Sequence, residues 1–278
     1  MQKIDIVAKK SDRILKVLER ECPNVLFSAF NNALRKRDVI VNGNRIKDNI
    51  TVMAGDSITV YVPDQKQKEM FKIFYEDDNI LIVNKFAGIE VCDGETNVQS
   101  ELKKQGKNVK AVHRLDRNTT GLVVFAKNRQ VEDELISAVK NKQIQKYYLA
   151  EVYGVPTKKE EILKAFLLKD KETSTVKVFK NKVQGAEEIT TSYSLIKTNG
   201  TTSLLRVKIT EGKTHQIRAH LAYVGLPILG DGKYGKNEIN KKYKLKTQSL
   251  KAYELVFNLP ESSSLSYLNN QKFKLNEF

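Results

Sequence analysis

The sequence has no apolar run of 18 residues, so no membrane-spanning helix is expected. Its opening residues, Met1-Gln2-Lys3-Ile4-Asp5-Ile6, lack the apolar core of a signal peptide. Cysteine is scarce. Cys22 and Cys92 lie far apart and make no C-x-x-C pair, which excludes a disulfide framework and fits a reduced cytoplasm. The three histidines are His113, His215 and His220. No H-E-x-x-H or Cys/His cluster is present, and positions 215 and 220 do not share a helix face, so no metal site is expected. There is no G-x-x-x-x-G-K-[ST] loop and no G-x-G-x-x-G fingerprint, so neither ATP nor NAD is expected as a cofactor. No repeat of 20–50 residues is visible.

Acidic residues are also in deficit. Against 48 Lys and Arg stand 33 Asp and Glu, a net charge of +15. Such an excess favours a polyanionic partner, with counterion release supplying affinity. A compositional bias toward Lys and Asn raises the same charge, so charge alone does not decide. The 278 residues, 40% hydrophobic and 29% charged, are ordinary for a globular chain and suffice for a small and a large domain.

Residues 1–63 read as a separate module. Ser11 is placed to cap a helix whose apolar positions begin at Ile14, and a second helical stretch runs from Ser28 to Arg37. Val39-Ile40-Val41 followed by Asn42-Gly43 signals a hairpin, and Ser57–Val62 alternates as a strand. The module holds 11 Lys and Arg against 7 Asp and Glu. Arg35, Lys36, Arg37 and Arg45 would cluster at the helix end and hairpin, where they suit phosphate contacts. They equally suit a solvated helix C-terminus, whose dipole favours cations. Residues 64–70, polar and without periodicity, read as a linker.

Residues 71–278 alternate strands with a few helices. Strands are expected at 73–75, 80–85, 122–126, 147–154, 175–179, 190–196 and 203–209, and helices at 130–142 and 216–223. Because the order is not βαβ, the fold class is α+β with a mainly antiparallel sheet.

His113-Arg114-Leu115-Asp116-Arg117-Asn118-Thr119-Thr120-Gly121-Leu122 concentrates the chemistry. One carboxylate, Asp116, stands between Arg114 and Arg117 at the mouth of the buried run Leu122–Ala126. A carboxylate there needs a cationic partner or a chemical use. The bland alternative is a solvated mixed-charge loop. Three other segments stand out: Tyr75–Lys85, continuing Phe86-Ala87-Gly88; Lys146-Tyr147-Tyr148-Leu149-Ala150; and Glu211-Gly212-Lys213-Thr214-His215-Gln216-Ile217-Arg218, followed by Gly225–Asp231.

Together these four segments resemble the RluA/RluD-type pseudouridine synthases, whose signature reads H-R-L-D-x-x-T-S-G-L. Residues 1–63 resemble an S4 RNA-binding domain. Departures from the family pattern are Thr120, Phe86, Glu211, Lys213 and Leu226, with Lys251 where a histidine is common. The resemblance implies an S4-like module followed by a mixed-sheet synthase domain with a central cleft. It implies Asp116 as the catalytic residue, Arg218 as its cationic partner and Tyr148 as a group stacking on uracil or moving a proton near the sugar. His113, Arg114, Arg117, Thr119, His215 and Gln216 are expected to bind RNA or substrate. Leu115, Leu122, Ile217 and Leu221 are candidates to line or support the cleft. RNA is the expected partner, ribosomal ahead of transfer RNA, with no nucleotide cofactor, no membrane and a monomeric state. A non-catalytic S4-type RNA-binding protein is the alternative. A glycosidase would need two paired carboxylates, and the signature offers one.

Overall fold

The computed structural model describes residues 1–22, 25–63, 69–94, 96–170 and 175–276. They divide into two compact units, Met1–Glu69 and Met70–Phe278. Residues 64–68 of the expected linker lie outside the described residues.

The first unit contains β1 (Gln2–Val7), β2 (Asp12–Arg13), α1 (Ile14–Glu21), α2 (Phe27–Arg35), β3 (Val39–Val41), β4 (Asn44–Ile46), β5 (Thr51–Val52) and β6 (Ser57–Val62). An antiparallel sheet runs β1-β6-β3-β4, and β2 pairs with β5. Ile14, Val17, Leu18, Phe30 and Leu34 of the helices pack on Ile58 and Val60. The hairpin forms at Asn42-Gly43, both with positive φ, the geometry that favours this dipeptide. Ser11 does not cap α1. Its hydroxyl accepts instead from the Ala54 N–H (3.1 Å), while Asn49 Oδ1 and the Ile50 carbonyl take the Leu15 and Ile14 N–H groups. A distant loop thus satisfies the helix start. Strand β1 was not anticipated from the sequence.

The second unit contains β7 (Phe71–Glu76), β8 (Ile80–Lys85), α3 (Val98–Lys104), β9 (Lys110–Ala111), β10 (Thr120–Ala126), α4 (Arg129–Lys140), β11 (Ile144–Tyr153), β12 (Glu160–Asp170), β13 (Thr175–Phe179), β14 (Glu187–Thr198), β15 (Thr202–Ile209), α5 (Gln216–Tyr223), α6 (Asn237–Lys242), β16 (Leu250–Phe257) and β17 (Phe273–Lys274). The sheet runs β13-β12-β14-β15-β11-β16-β10-β8-β7, with β17 beside β16 and β9 beside β10. Among the described strands its pairings are antiparallel except β10 with β16, which makes it a mixed sheet.

Both faces of its centre are covered. Val123 and Phe125 pack with Val98 and Leu102 of α3, while Leu122 and Val124 pack with Val131 and Leu135 of α4. A strand buried on both faces reads as a continuous apolar run, which is why Leu122–Ala126 shows no alternation. Gly121 makes the parallel joint possible: at φ +112 it passes the β16 backbone so closely that a Cβ would stand 2.1 Å from the Ala252 carbonyl oxygen.

Candidate active site

Asp116 lies in the turn before β10, closed by the Thr119 N–H donating to the Asp116 carbonyl (2.9 Å). Two anchors fix this turn. Lys85, at the end of β8, is fully buried, and its Nζ donates to the carbonyls of Phe86 (3.0 Å), Ile89 (2.8 Å) and Arg117 (3.0 Å). Burial pushes its pKa down to about 8 against the pull of Glu90 and Asp116. On the other side His113 Nε2 accepts from the Val124 N–H of β10 (3.2 Å), and the Thr119 hydroxyl accepts from Gln248 Nε2 (2.6 Å). Burial, with the nearby Lys146 charge, takes His113 down to about 3, so it stays neutral.

The cation that meets Asp116 comes from α5. Arg218 Nη1 donates to Asp116 Oδ2 (2.8 Å). Arg218 is itself held from behind, Nε donating to Asp231 Oδ2 (2.7 Å) and Nη2 to Asp231 Oδ1 (3.0 Å), a bidentate pair. Asp231 is fully buried, and its Oδ1 also accepts from the Lys233 and Tyr234 N–H groups. Burial alone would raise its pKa, but Arg218 and these donors outweigh that and hold the carboxyl below its ordinary range. For Arg218, burial is likewise outweighed by the two carboxylates, and its pKa rises.

Tyr148 of β11 is buried and lines the same cleft, of about 610 Å³. The β11–β16 register shifts between Tyr147 and Tyr148, and such a bulge re-aims side chains. Burial and the Asp116 charge push the Tyr148 phenol up, so it stays protonated. His215 caps α5 in the left-handed region (φ +53). Its Nε2 stands 4.0 Å from Asp116 Oδ2, and its Nδ1 lies 2.9 Å from the Tyr234 hydroxyl. Burial lowers its pKa, opposed by Asp116.

The cleft therefore brings together Asp116, Arg218, Tyr148, His113, Thr119, His215 and Gln216. The buried Gln216 amide bonds inward, donating to the Thr190 carbonyl (3.1 Å) and Glu211 Oε2 (3.2 Å) and accepting from the Lys213 N–H (3.2 Å). Arg114 and Arg117, which flank Asp116 in sequence, do not pair with it. Arg114 also lines the cleft but pairs with Asp93 and Glu90, and Arg117 Nε donates to the Gly88 carbonyl (3.1 Å). These sequence neighbours turn to different partners, whereas Arg218 arrives from another element. Leu115 and Ile217 line the cleft; Leu122 and Leu221 are core. In the first unit Arg35, Lys36, Arg37 and Arg45 are exposed, and Arg45 Nη1 donates to the Arg37 carbonyl (2.8 Å).

Asp231, Lys85 and Tyr234 were not anticipated as site residues. Asp231 closes the last of the four segments, and a lone carboxylate ending a Gly-rich turn was an available signal. Lys85 read as the polar end of a strand, and nothing in the sequence points to Tyr234.

The family model for RNA pseudouridylate synthase matches residues 79–223, a span containing Asp116, Tyr148 and Arg218. The chain belongs to the RNA pseudouridylate synthase family. It is an enzyme, an isomerase acting on uridine in RNA. It is 34% identical over 256 residues to the ribosomal large subunit pseudouridine synthase C of Rickettsia bellii, covering 82% of this chain and 84% of the relative. It is 29% identical to the uncharacterized RNA pseudouridine synthase YlyB of Bacillus subtilis over 94% of this chain and 92% of that one. Among solved structures, human RNA pseudouridylate synthase domain containing 1 shares the fold at TM-score 0.60 and 19% identity, covering 78% of this chain and 94% of that one.

Proposed function

We propose that the cleft isomerises uridine in large-subunit ribosomal RNA, with Asp116 as the catalytic carboxylate. The observation that carries this reading is the clamp of Arg218 between Asp231 and Asp116, which presents one oriented carboxylate at the wall of a cleft. The reaction breaks the N1–C1′ bond, rotates the uracil and forms a C5–C1′ bond. C5 loses a proton and N1 gains one, so no oxidant or cofactor is required. Asp116 serves as nucleophile or abstracts the C2′ proton; either role needs the geometry that Arg218 imposes. Tyr148, a neutral phenol on the cleft wall, stacks on the flipped base or moves a proton near the sugar. The ribosomal substrate is supported by the names of the relatives in Rickettsia bellii and Vibrio cholerae, each a ribosomal large subunit pseudouridine synthase C.

Residues 1–63 are read as an S4-like RNA-binding domain, residues 64–70 as a linker and 71–278 as the catalytic domain. The helix pair, the hairpin and the exposed Arg35, Lys36, Arg37 and Arg45 support an RNA-phosphate role for the first. The enzyme is taken to act in the cytoplasm as a monomer.

The test is tritium release from C5-tritiated uridine in unmodified ribosomal and transfer RNA, wild type beside Asp116→Asn, without added metal or nucleotide. Release by the wild type alone is expected, from ribosomal RNA. Equal release by both proteins removes Asp116 from the chemistry, and release from transfer RNA alone overturns the substrate.

A further inference from the structure

Lys146 stands two residues before Tyr148 on β11 and lines the same cleft. Its side chain is half-buried, yet among the described residues its ammonium has neither a carboxylate in ion-pair reach nor a hydrogen-bond acceptor. The tip is not sealed in the core. It lies beside Gly212 across the cleft wall, where a Cβ built on that glycine would stand 3.7 Å from Nζ.

Four other cations around the site are engaged. Lys85 donates to three carbonyls, Arg218 is held by two carboxylates, Arg114 pairs with Asp93 and Lys213 with Glu187. Burial lowers the Lys146 pKa, and no neighbouring carboxylate opposes it. An ammonium withdrawn from water without a partner costs free energy that an entering anion recovers. Glu211, the acid next to Gly212 in the chain, is occupied by the Thr190 N–H (2.9 Å) and Gln216. A uridine in RNA carries no charge on base or sugar; its anions are the phosphodiesters on either side. Lys140, Lys142 and Lys208 line the same cleft and make no ion pair among the described residues, so the positive wall continues beyond Lys146.

We propose that Lys146 is a phosphate anchor whose ammonium binds the phosphodiester next to the uridine presented to Asp116. The inference rests on the reading of this cleft as the uridine site. Lys146 is then a positioning residue. Gripping one phosphate fixes the sugar relative to the Asp116 carboxylate, and its loss raises KM more than it lowers kcat.

The experiment uses full-length wild type, Lys146→Gln and Lys146→Arg. The probe is the stem–loop around the uridine that the wild type converts in an unmodified large-subunit ribosomal RNA transcript. It is synthesised with natural phosphates, or with one neutral methylphosphonate on the 5′ or the 3′ side of that uridine. One of the two neutral sites is expected to cost the wild type about tenfold in kcat/KM, carried mainly by KM. Lys146→Gln is expected to lose about tenfold on the natural RNA and to distinguish the neutral RNA from it by under about twofold, as coupled groups do. Lys146→Arg keeps the discrimination. A wild type indifferent to both neutral sites overturns the proposal, and this arm needs no variant to fold. So does a Lys146→Gln protein that loses the same factor on natural and neutral RNA, the mark of a merely structural lysine. Absence of any conversion by the wild type is a different result: it overturns the ribosomal-RNA reading itself and takes this proposal with it.

Discussion

Asp231 grips Arg218 with both carboxylate oxygens, at 2.7 and 3.0 Å, and so aims the remaining guanidinium nitrogen at Asp116 2.8 Å away. One arginine fork thus joins a buried structural carboxylate to one on the cleft. A planar fork with fixed donor directions does this; a lysine ammonium does not.

Arg218→Lys and Asp231→Asn therefore both misplace Asp116. Each is expected to lower the single-turnover rate of tritium release about 100-fold, the scale of an ångström-level misplacement. Asp231→Asn is also expected to cost about 3 kcal/mol of stability, because Arg218 keeps its charge in a buried site without the paired carboxylate. Urea unfolding and rapid-quench kinetics on the same preparations check both halves. An Arg218→Lys enzyme with wild-type rates would remove the orienting role.

Gly121→Ala tests the parallel joint. The new Cβ meets the Ala252 carbonyl at 2.1 Å, and φ +112 is unfavourable for alanine. Backbone cannot swing away as a side-chain tip does, so overpacking and strain add to about 3 kcal/mol or more. The expected outcome is a lowered urea midpoint, or no soluble protein. An unchanged midpoint would mean that β10 and β16 are not apposed as described.

Acid should weaken the fold through its buried histidines. His220 is buried against Thr191, its Nδ1 3.0 Å from the hydroxyl, and burial lowers its pKa to about 4. The unfolded chain protonates near the ordinary value of about 6.5. As pH falls, the unfolded state takes up the proton first, so stability is full above about 6.5 and drains between about 6.5 and 4. His113 extends the same loss toward about 3. Removing the titrating group in His220→Gln is expected to make the stability lost between pH 7 and 4.5 smaller by about 2 kcal/mol. Denaturant melts at the two pH values provide the measurement; equal losses in both proteins would contradict the assignment.

Neutralising Arg35, Lys36, Arg37 and Arg45 together, each to Gln, is expected to weaken RNA binding and flatten its salt dependence. The slope of log K against log salt should shrink by about 0.7–0.9 for each phosphate that the surface no longer neutralises. Filter binding across a potassium chloride series reads it, and an unaltered slope excludes these four cations from the RNA-binding surface.

Much of the frame was legible locally. The period-2 pattern of Ser203–Ile209, the Asn42-Gly43 turn and the two-sided burial of Leu122–Ala126 each follow from a few neighbouring residues. So did the gathering of Asp116, Tyr148 and Arg218 in one cleft, through the four segments that carry the family pattern. What escaped depends on the rest of the chain. Ser11 has the chemistry of a cap but loses the position to Asn49, 34 residues from the N–H it accepts. Arg114 and Arg117 flank Asp116 in sequence yet turn to other partners. Lys85 is silent in sequence because its three acceptors are carbonyls, which every residue possesses. Neither β12 nor β16 alternates cleanly in sequence: Ile162-Leu163 and Ala165–Leu168 run together in β12, and in β16 the alternation breaks at Ala252-Tyr253, where its register on β11 shifts.

The joint at Gly121 and Ala252 also sets an order of events during synthesis. The Asp116 turn is made early, but the strand that braces it follows about 130 residues later, and Arg218 and Asp231 emerge between the two. Contacts of such separation form only after the intervening chain is closed into a loop. A growing chain therefore carries the HRLDR turn for about half of its translation without an assembled cleft. The cleft is complete only once β16, which pairs with β10 and lends Leu250 to the lining, has left the ribosome.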